Sequence, residues 1–383
     1  MTTDSQDGST VLFHNIVAPY RNKLFEEISD SINLTVYFSK SNNKDRYWES
    51  SPENYNYKSR MLKGFEIGPF IINPFLWIHL LRDDPETVIA VETLQTVVST
   101  FMLVILTKLT GSSLVLWSGV FEDEYKYKRS PEMIHNIDNA VIRNTILSIF
   151  RICSEFYRKL LYRYSDKHIA YSPDARDYLI ERGVPEERIR VGGQVVPQNQ
   201  IPEPSNDDVK SDQVNILYLG YLRKVKGVDL LIHSFKGIDS ENIRLTIAGD
   251  GPEYDSLTTL ASGDDRITFT GYVEGVQKAD EYQKADIFVL PTYHDPWGLV
   301  VNEAMEYGLP IITTASAGCR QDLVNKNGLV VPTDDKHALK VAIETLADHD
   351  ELMKAMGKKS EKQIRELSIQ AGAEPFIKSS SGN

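Results

Sequence analysis

Short apolar runs alternate with amphipathic stretches along most of the chain. Residues 11–15 (VLFHN), 34–38 (LTVYF), 88–91 (VIAV), 114–117 (LVLW) and 168–171 (HIAY) are rich in β-branched or aromatic residues and bounded by turn formers or polar residues. That pattern predicts buried strands. Between them, residues 20–28 after Pro19 and the long run 139–164 carry a helical period. Strand, helix, strand in repetition predicts a parallel sheet covered by helices on both faces. The alternation collapses over residues 198–212 (QNQIPEPSNDDVKSD), whose two prolines and four acids mark a linker. It then restarts, with strands expected at 214–219, 245–248, 267–269, 287–290 and 310–314, and helices at 228–235, 252–261, 298–307, 336–347 and 351–367. The expectation is an α/β chain of two Rossmann-like domains, residues 1–205 and 206–365. The cleft between them is the default site.

Composition narrows the class without naming a chemistry. The 383 residues exceed one ordinary core, and 41% hydrophobic with 25% charged residues is a globular balance. A net charge of −12 argues against a general nucleic-acid binder. The two cysteines, Cys153 and Cys319, lie far apart in sequence and cannot make a disulfide framework or a Cys-rich zinc site, and the eight histidines include no His-x3-His pair. The first ten residues show neither a basic nor an apolar leader segment, and the apolar run 97–109 is too short to span a bilayer. A cytoplasmic chain is expected.

Three segments after the linker carry chemistry. GYLRKVKG, from Gly220 to Gly227, follows an expected strand and opens a helix, where backbone N–H groups meet an anion. Arg223, Lys224 and Lys226 place three cations there, suited to a diphosphate; a solvated basic loop is the plainer reading. GDGP, starting at Gly249, follows the strand LTIA and lets the backbone turn sharply. PTYHDPWGLVVNEAMEYGLPIITT begins at Pro291 and sets Asp295 in a loop, with Glu303 about one and a half turns into a helix. The first-turn N–H groups around Gly298 and Leu299 would point free. A helix cap is the plainer role for Asp295, and a solvent-facing position for Glu303.

The ordered set GYLRKVKGVDLLI, IAGDGPEYDSL, ITFTGYV, ADIFVLPTYHDPWGLVVNEAMEYGLPII and NGLVVPTDD resembles the family-4 retaining glycosyltransferases, which have the GT-B fold. The likeness is strong from Val214 to Lys359 and weaker in the first half. It implies transfer of a sugar from a nucleotide-sugar donor with retention of anomeric configuration, in cell-surface polysaccharide or glycoconjugate synthesis. No permanently bound cofactor or metal is implied. The family's Glu-x7-Glu motif falls on Asp295 and Glu303: the second acid holds the donor ribose, the first contacts the transferred sugar. Asp295 is one methylene shorter than the usual Glu. The family's phosphate-binding pair falls on Tyr221 and Lys226, and Arg223 is the substitute for the missing guanidinium. Asp295, Glu303, Arg223 and Lys226 are thus the candidate catalytic residues. Gly220, Gly249, Tyr272, Val273, Gly298, Leu299 and Val300 join them as donor contacts.

On the acceptor side the resemblance points to Tyr20, Arg21 and Glu92. Arg21 has two readings, a phosphate or acceptor contact and a surface cation; Glu92 has two, an acceptor contact and a helix cap. The departing diphosphate would take the acceptor's proton in a front-face reaction, with no enzymic nucleophile. In GT-B chains the C-terminal segment crosses back to the N-terminal domain, expected here for 351–367 and the tail 366–383. The acid triplet Glu122, Asp123 and Glu124 is read as solvated loop charge. A catalytically silent nucleotide-sugar binder on the same scaffold is the alternative, resting on Tyr221 and Asp295. Last, residues 143–168 hold six Lys or Arg against two acids beside an apolar stripe. Either that stripe packs on the sheet, or the segment lies against an anionic membrane.

Overall fold

The computed structural model describes residues 8–40, 55–121, 139–192, 194–195, 202, 204 and 213–380. Most of the linker and the acid triplet at 122–124 lie outside the described residues. The chain divides into two units, Met1–Glu122 with Ser130–Pro197 and Ser368–Asn383, and Asp123–Arg129 with Gln198–Leu367.

The first unit contains β1 (Thr10–Ile16), α1 (Pro19–Ser31), β2 (Leu34–Lys40), β3 (Lys58–Met61), β4 (Phe65–Ile67), β5 (Phe70–Ile72), α2 (Leu76–Asp83), β6 (Thr87–Val91), α3 (Val97–Thr110), β7 (Ser113–Ser118), α4 (Ala140–Tyr164), β8 (Lys167–Ala170), α5 (Pro173–Glu181) and β9 (Ile189–Val191). Seven strands form a sheet in the order β3-β2-β1-β6-β7-β8-β9, and β4 and β5 make a separate antiparallel ribbon. The central strands are buried on both faces, which is why they read as continuous apolar runs. Successive residues still divide by face. Val11 and Phe13 join Leu80, Leu103 and Leu116, whereas Leu12 joins Phe25, Ile28, Val115 and Trp117.

The second unit contains β10 (Val214–Leu219), α6 (Val228–Lys236), β11 (Ile243–Ala248), α7 (Tyr254–Ala261), β12 (Ile267–Gly271), α8 (Gly275–Lys284), β13 (Ile287–Leu290), α9 (Leu299–Glu306), β14 (Ile311–Thr314), α10 (Arg320–Leu323), β15 (Gly328–Val331), α11 (Lys336–Ala347) and α12 (Asp350–Glu366). Its parallel sheet runs β12-β11-β10-β13-β14-β15. The chain leaves β10 in one direction, then returns to β13 beside it and leaves in the other. β10 and β13 therefore flank a topological switch point, where loops at the strands' carboxyl ends diverge and leave room for a ligand. β1 and β6 flank the equivalent point in the first unit.

One expectation is corrected. The helix expected at 351–367 to leave its domain stays on the second unit. There Gly357 of α12 packs on the Gly308 backbone, Ser360 donates to the Leu309 carbonyl at 2.7 Å, and Ile364 is in the core. The segment that joins the first unit is the next helix, α13 (Ile369–Ser380), which packs along α1 and sets Phe376 edge-on to Trp117 at 4.8 Å.

Two buried imidazoles make the first unit sensitive to acid. Burial and the nearby Arg21 charge push His14 down to about 3, and burial with the Arg188 charge pushes His168 down to about 4. Below about pH 6.5 the unfolded chain takes up these protons and the folded chain does not. Stability is thus full above that pH and falls as pH drops toward 4, by at most about 1.4 kcal/mol per pH unit for each imidazole. Urea unfolding at pH 7 and pH 5 checks this, and an unchanged midpoint would remove the buried-neutral assignment.

Candidate active site at the second switch point

The loops after β10 and β13 are tied together at the switch point. The Val225 carbonyl accepts from Thr292 Oγ1 at 2.9 Å and from the Tyr293 N–H at 2.8 Å. Gly227 makes this contact possible: its φ is +69°, and a Cβ there would lie 2.1 Å from the Pro291 carbonyl oxygen. The same junction brings the two charged candidates into one pair. Lys226 Nζ donates to Asp295 Oδ2 at 2.6 Å, and the Trp297 N–H donates to Asp295 Oδ1 at 3.1 Å. Burial alone would raise the Asp295 carboxyl, but the Lys226 charge and hydrogen bond outweigh it and hold the group below the usual carboxylate range. Asp295 is thus a buried anion at 8% exposure, with both oxygens engaged inside the chain. It is not a helix cap, since its bond goes to the Trp297 N–H ahead of α9 and its other oxygen holds Lys226.

Gly298 follows at φ +93° and caps α9 with no side-chain bond to the helix. A Cβ there would come within 2.7 Å of Leu290 Cδ2. Trp297 is locked behind it by a 2.9 Å bond from its indole N–H to Asn302 Oδ1. The N–H groups of Leu299 and Val300 meet no acceptor among the described residues. They carry the positive end of the helix dipole and point a pair of donors outward.

One turn further on, Glu303 is held rather than solvated. Lys278 Nζ donates to its Oε1 at 2.6 Å and the Tyr282 hydroxyl donates to its Oε2 at 2.8 Å. Tyr282 is fully buried and stacked on Tyr307 at 5.2 Å; burial and the Glu303 charge keep its hydroxyl protonated. Lys278 and Tyr282 were missed by sequence reasoning. Their helix α8, GVQKADEYQK, buries only Ala279 and Tyr282, too little for an apolar period to register. The Tyr-to-Lys spacing of one turn was the available signal.

The remaining donor-side candidates line the same strand ends. Gly220 and Gly249 follow β10 and β11, bonded to the Ala248 and Gly271 carbonyls at 2.9 and 2.8 Å. Arg223 lies over the Tyr221 ring at 5.1 Å. Tyr272 is exposed and donates to Glu274 at 2.8 Å, with Val273 half-buried beside it.

Tyr20, Arg21 and Glu92 sit at the first unit's switch point, after β1 and β6. Arg21 is not the surface cation of the second reading. It is 5% exposed, lies over Trp117 at 4.5 Å and donates to Gln194 Oε1 at 2.7 Å, which makes it a buried packing cation. Glu92 is no cap either; Thr93 takes that role for the following turn. The Glu92 carboxylate accepts from Tyr162 at 3.0 Å and pairs with Arg158 at 3.4 Å. Arg158 is correspondingly buried, which removes it from any lipid-facing set. Tyr20 is half-buried, as is Glu92, at this point.

Residues 201–363 match the family described as Glycosyl transferases group 1. An uncharacterised glycosyltransferase of Methanocaldococcus jannaschii is 32% identical over 128 residues, 32% of this chain and 33% of that protein. The chain spans about a third to a half of the length of the first curated relatives it matches. Among solved structures, sucrose-phosphate synthase from Thermosynechococcus elongatus aligns with a TM-score of 0.72 at 18% identity, covering 97% of this chain and 98% of that one. Anabaena HepE in complex with UDP-glucose aligns with a TM-score of 0.71 at 14% identity, covering 98% and 100%. The fold is GT-B.

Proposed function

We propose that this chain, whose residues 201–363 belong to the glycosyl transferases group 1 family, moves a hexosyl group with retention from a nucleotide-sugar donor to a glycan or lipid-linked acceptor. One observation carries the reading. Lys226 is pinned by Asp295 beside the two outward N–H groups of α9, and Glu303 stands one turn behind them. Cation and N–H donors suit a diphosphate; a carboxylate at that distance along the helix suits the ribose hydroxyls. Catalysis is then charge stabilisation of the leaving diphosphate by Lys226, Arg223 and the N–H groups of Leu299 and Val300. The glycosidic carbon–phosphate oxygen bond breaks, the acceptor oxygen bonds the anomeric carbon on the same face, and the acceptor proton passes to the departing phosphate. With Asp295 committed to Lys226, its part is to position that lysine, and reach toward the sugar is secondary.

The HepE complex favours a uridine nucleotide, and pathways of cell-surface polysaccharide or glycoconjugate synthesis would consume the product. UDP at a hundredfold excess over its Kd should add about 2.7 kcal/mol of apparent stability. A thermal-shift series with UDP, GDP and ADP checks this. A shift with none of the three would sink the donor assignment. Donor hydrolysis assayed with and without acceptor separates a transferase from a silent binder.

The reading includes peripheral attachment to the cytoplasmic face of a membrane through residues 143–168. Arg151, Lys159 and Arg163 of α4 are exposed, and each near-surface cation contributes about 1 kcal/mol on anionic lipid. Arg158 is not among them. Association would be strongest at low salt and weakened by Arg151→Glu with Lys159→Glu.

A further inference from the structure

Helix α3 is built inside out. Its sheet-facing side is rich in small polar residues: Ser99, Thr100 and Thr107 are no more than 1% exposed. They are hydrogen-bonded within the unit. The Asn73 N–H donates to Ser99 Oγ at 3.3 Å, Thr100 meets Thr96 at 3.5 Å, and Thr107 donates to the Leu103 carbonyl at 2.8 Å. The outward side is apolar. Val98, Phe101, Ile105 and Leu109, spaced three and four apart on one stripe, are 40%, 44%, 49% and 77% exposed. An outer helix of an α/β unit ordinarily shows the reverse pattern, and a contiguous exposed apolar patch marks an interaction surface.

The neighbours continue the surface. α3 packs beside α2, which exposes Trp77 and Leu81, and beside α4, which exposes Ile152 and Phe156. None of these helices is long and apolar enough to cross a bilayer. Their charge is one-sided. α2, α3 and α4 together hold seven Lys or Arg and two acids, in a chain whose net charge is −12. Both acids are engaged by cations of this chain, Asp83 by Arg60 and Glu155 by Arg158 and Arg182. The exposed cations Arg82, Arg151, Lys159 and Arg163 therefore accompany the apolar stripe, while Lys108 is paired with Asp166 at 2.9 Å.

We infer that the outward faces of α2, α3 and α4 form a docking surface that inserts its apolar side chains into the interface of an anionic bilayer. Side chains such as Phe101 and Ile105 enter the acyl boundary while the cations meet the headgroups. A second copy of the chain fits less well, because a two-fold contact would bring the same cations face to face. The inference rests on the membrane attachment proposed above and changes its character, from purely electrostatic to partly apolar and salt-resistant.

Flotation with phosphatidylglycerol/phosphatidylcholine vesicles and with phosphatidylcholine alone, at low and at molar salt, tests it on the full chain. Wild type should float with the anionic vesicles at low salt and stay largely bound at molar salt. Brominated acyl chains should quench Trp77, read as the difference between wild type and Trp77→Phe. Phe101→Gln with Ile105→Gln should keep the wild-type Tm, both being exposed, yet lower high-salt partitioning by about tenfold or more. Full release of wild type at molar salt, with no Trp77 quenching, overturns insertion and leaves the electrostatic attachment standing. No flotation on either vesicle at any salt overturns both. A concentration-dependent dimer in sedimentation, dissolved by the same two substitutions and accompanied by no flotation, reassigns the surface to self-association.

Discussion

Lys226→Ala should lower kcat/KM by about 10²–10³-fold, since it removes a charge aimed at the leaving diphosphate from a partly enclosed site. The loss should fall on kcat more than on donor KM if the contact tightens as the phosphate departs. The variant should also be less stable, because Asp295 is left in its buried position without the ammonium that offsets burial. Its pH behaviour then changes sign. In wild type the depressed Asp295 pKa contributes stability above about pH 3.9, lost as pH falls through the folded value. With Lys226 gone, burial loses its main opponent, so the Tm deficit should shrink as pH is lowered. Adding Asp295→Asn should recover Tm but not rate. Recovery of rate by the double variant would show that Lys226 serves only to neutralise Asp295.

Glu303→Gln is expected to raise donor KM by about 10–100-fold, the range for losing a charge-assisted hydrogen bond to a neutral partner. Gln keeps an acceptor for Tyr282, so Tm should stay near wild type; Glu303→Ala leaves the buried Tyr282 hydroxyl only the longer 3.4 Å contact to the Val300 carbonyl and should lower Tm as well. Calorimetric titration with UDP separates binding from turnover. Because the ribose is shared by every uridine nucleotide, UDP and the full donor should weaken in parallel. Unchanged UDP affinity would reassign Glu303 to a structural pair with Lys278.

The C-terminal unit was the more legible half. Its strands are short apolar runs because a doubly covered parallel sheet buries both faces, and its glycine turns and PWG segment are local in sequence. The β10 and β13 loops could be named before it was known that they touch. In the first unit the same logic found the central strands β1, β2, β6, β7 and β8, but it passed over the polar edge strand β3 (KSRM), which is mostly exposed. It also missed the ribbon of β4 and β5.

What the sequence determined by itself was the alternation that makes two Rossmann-like sheets, and the set of charged residues at the strand ends. Partnership was left to tertiary structure. Asp295 and Lys226 are far apart in the chain and meet only because β10 and β13 are neighbours at the switch point. Lys278 reaches Glu303 from a helix with almost no apolar signature. Arg21, for which a surface position was one of two readings, and Arg158, one cation of the basic run 143–168, are buried against Trp117, Gln194 and Glu92. Periodicity reports how many apolar residues a helix carries, whereas the face turned outward depends on what packs beneath it. α3 shows the difference, since its small hydroxyl residues fit against the protein with their hydrogen bonds closed inside it, and Val98, Phe101, Ile105 and Leu109 are left facing out.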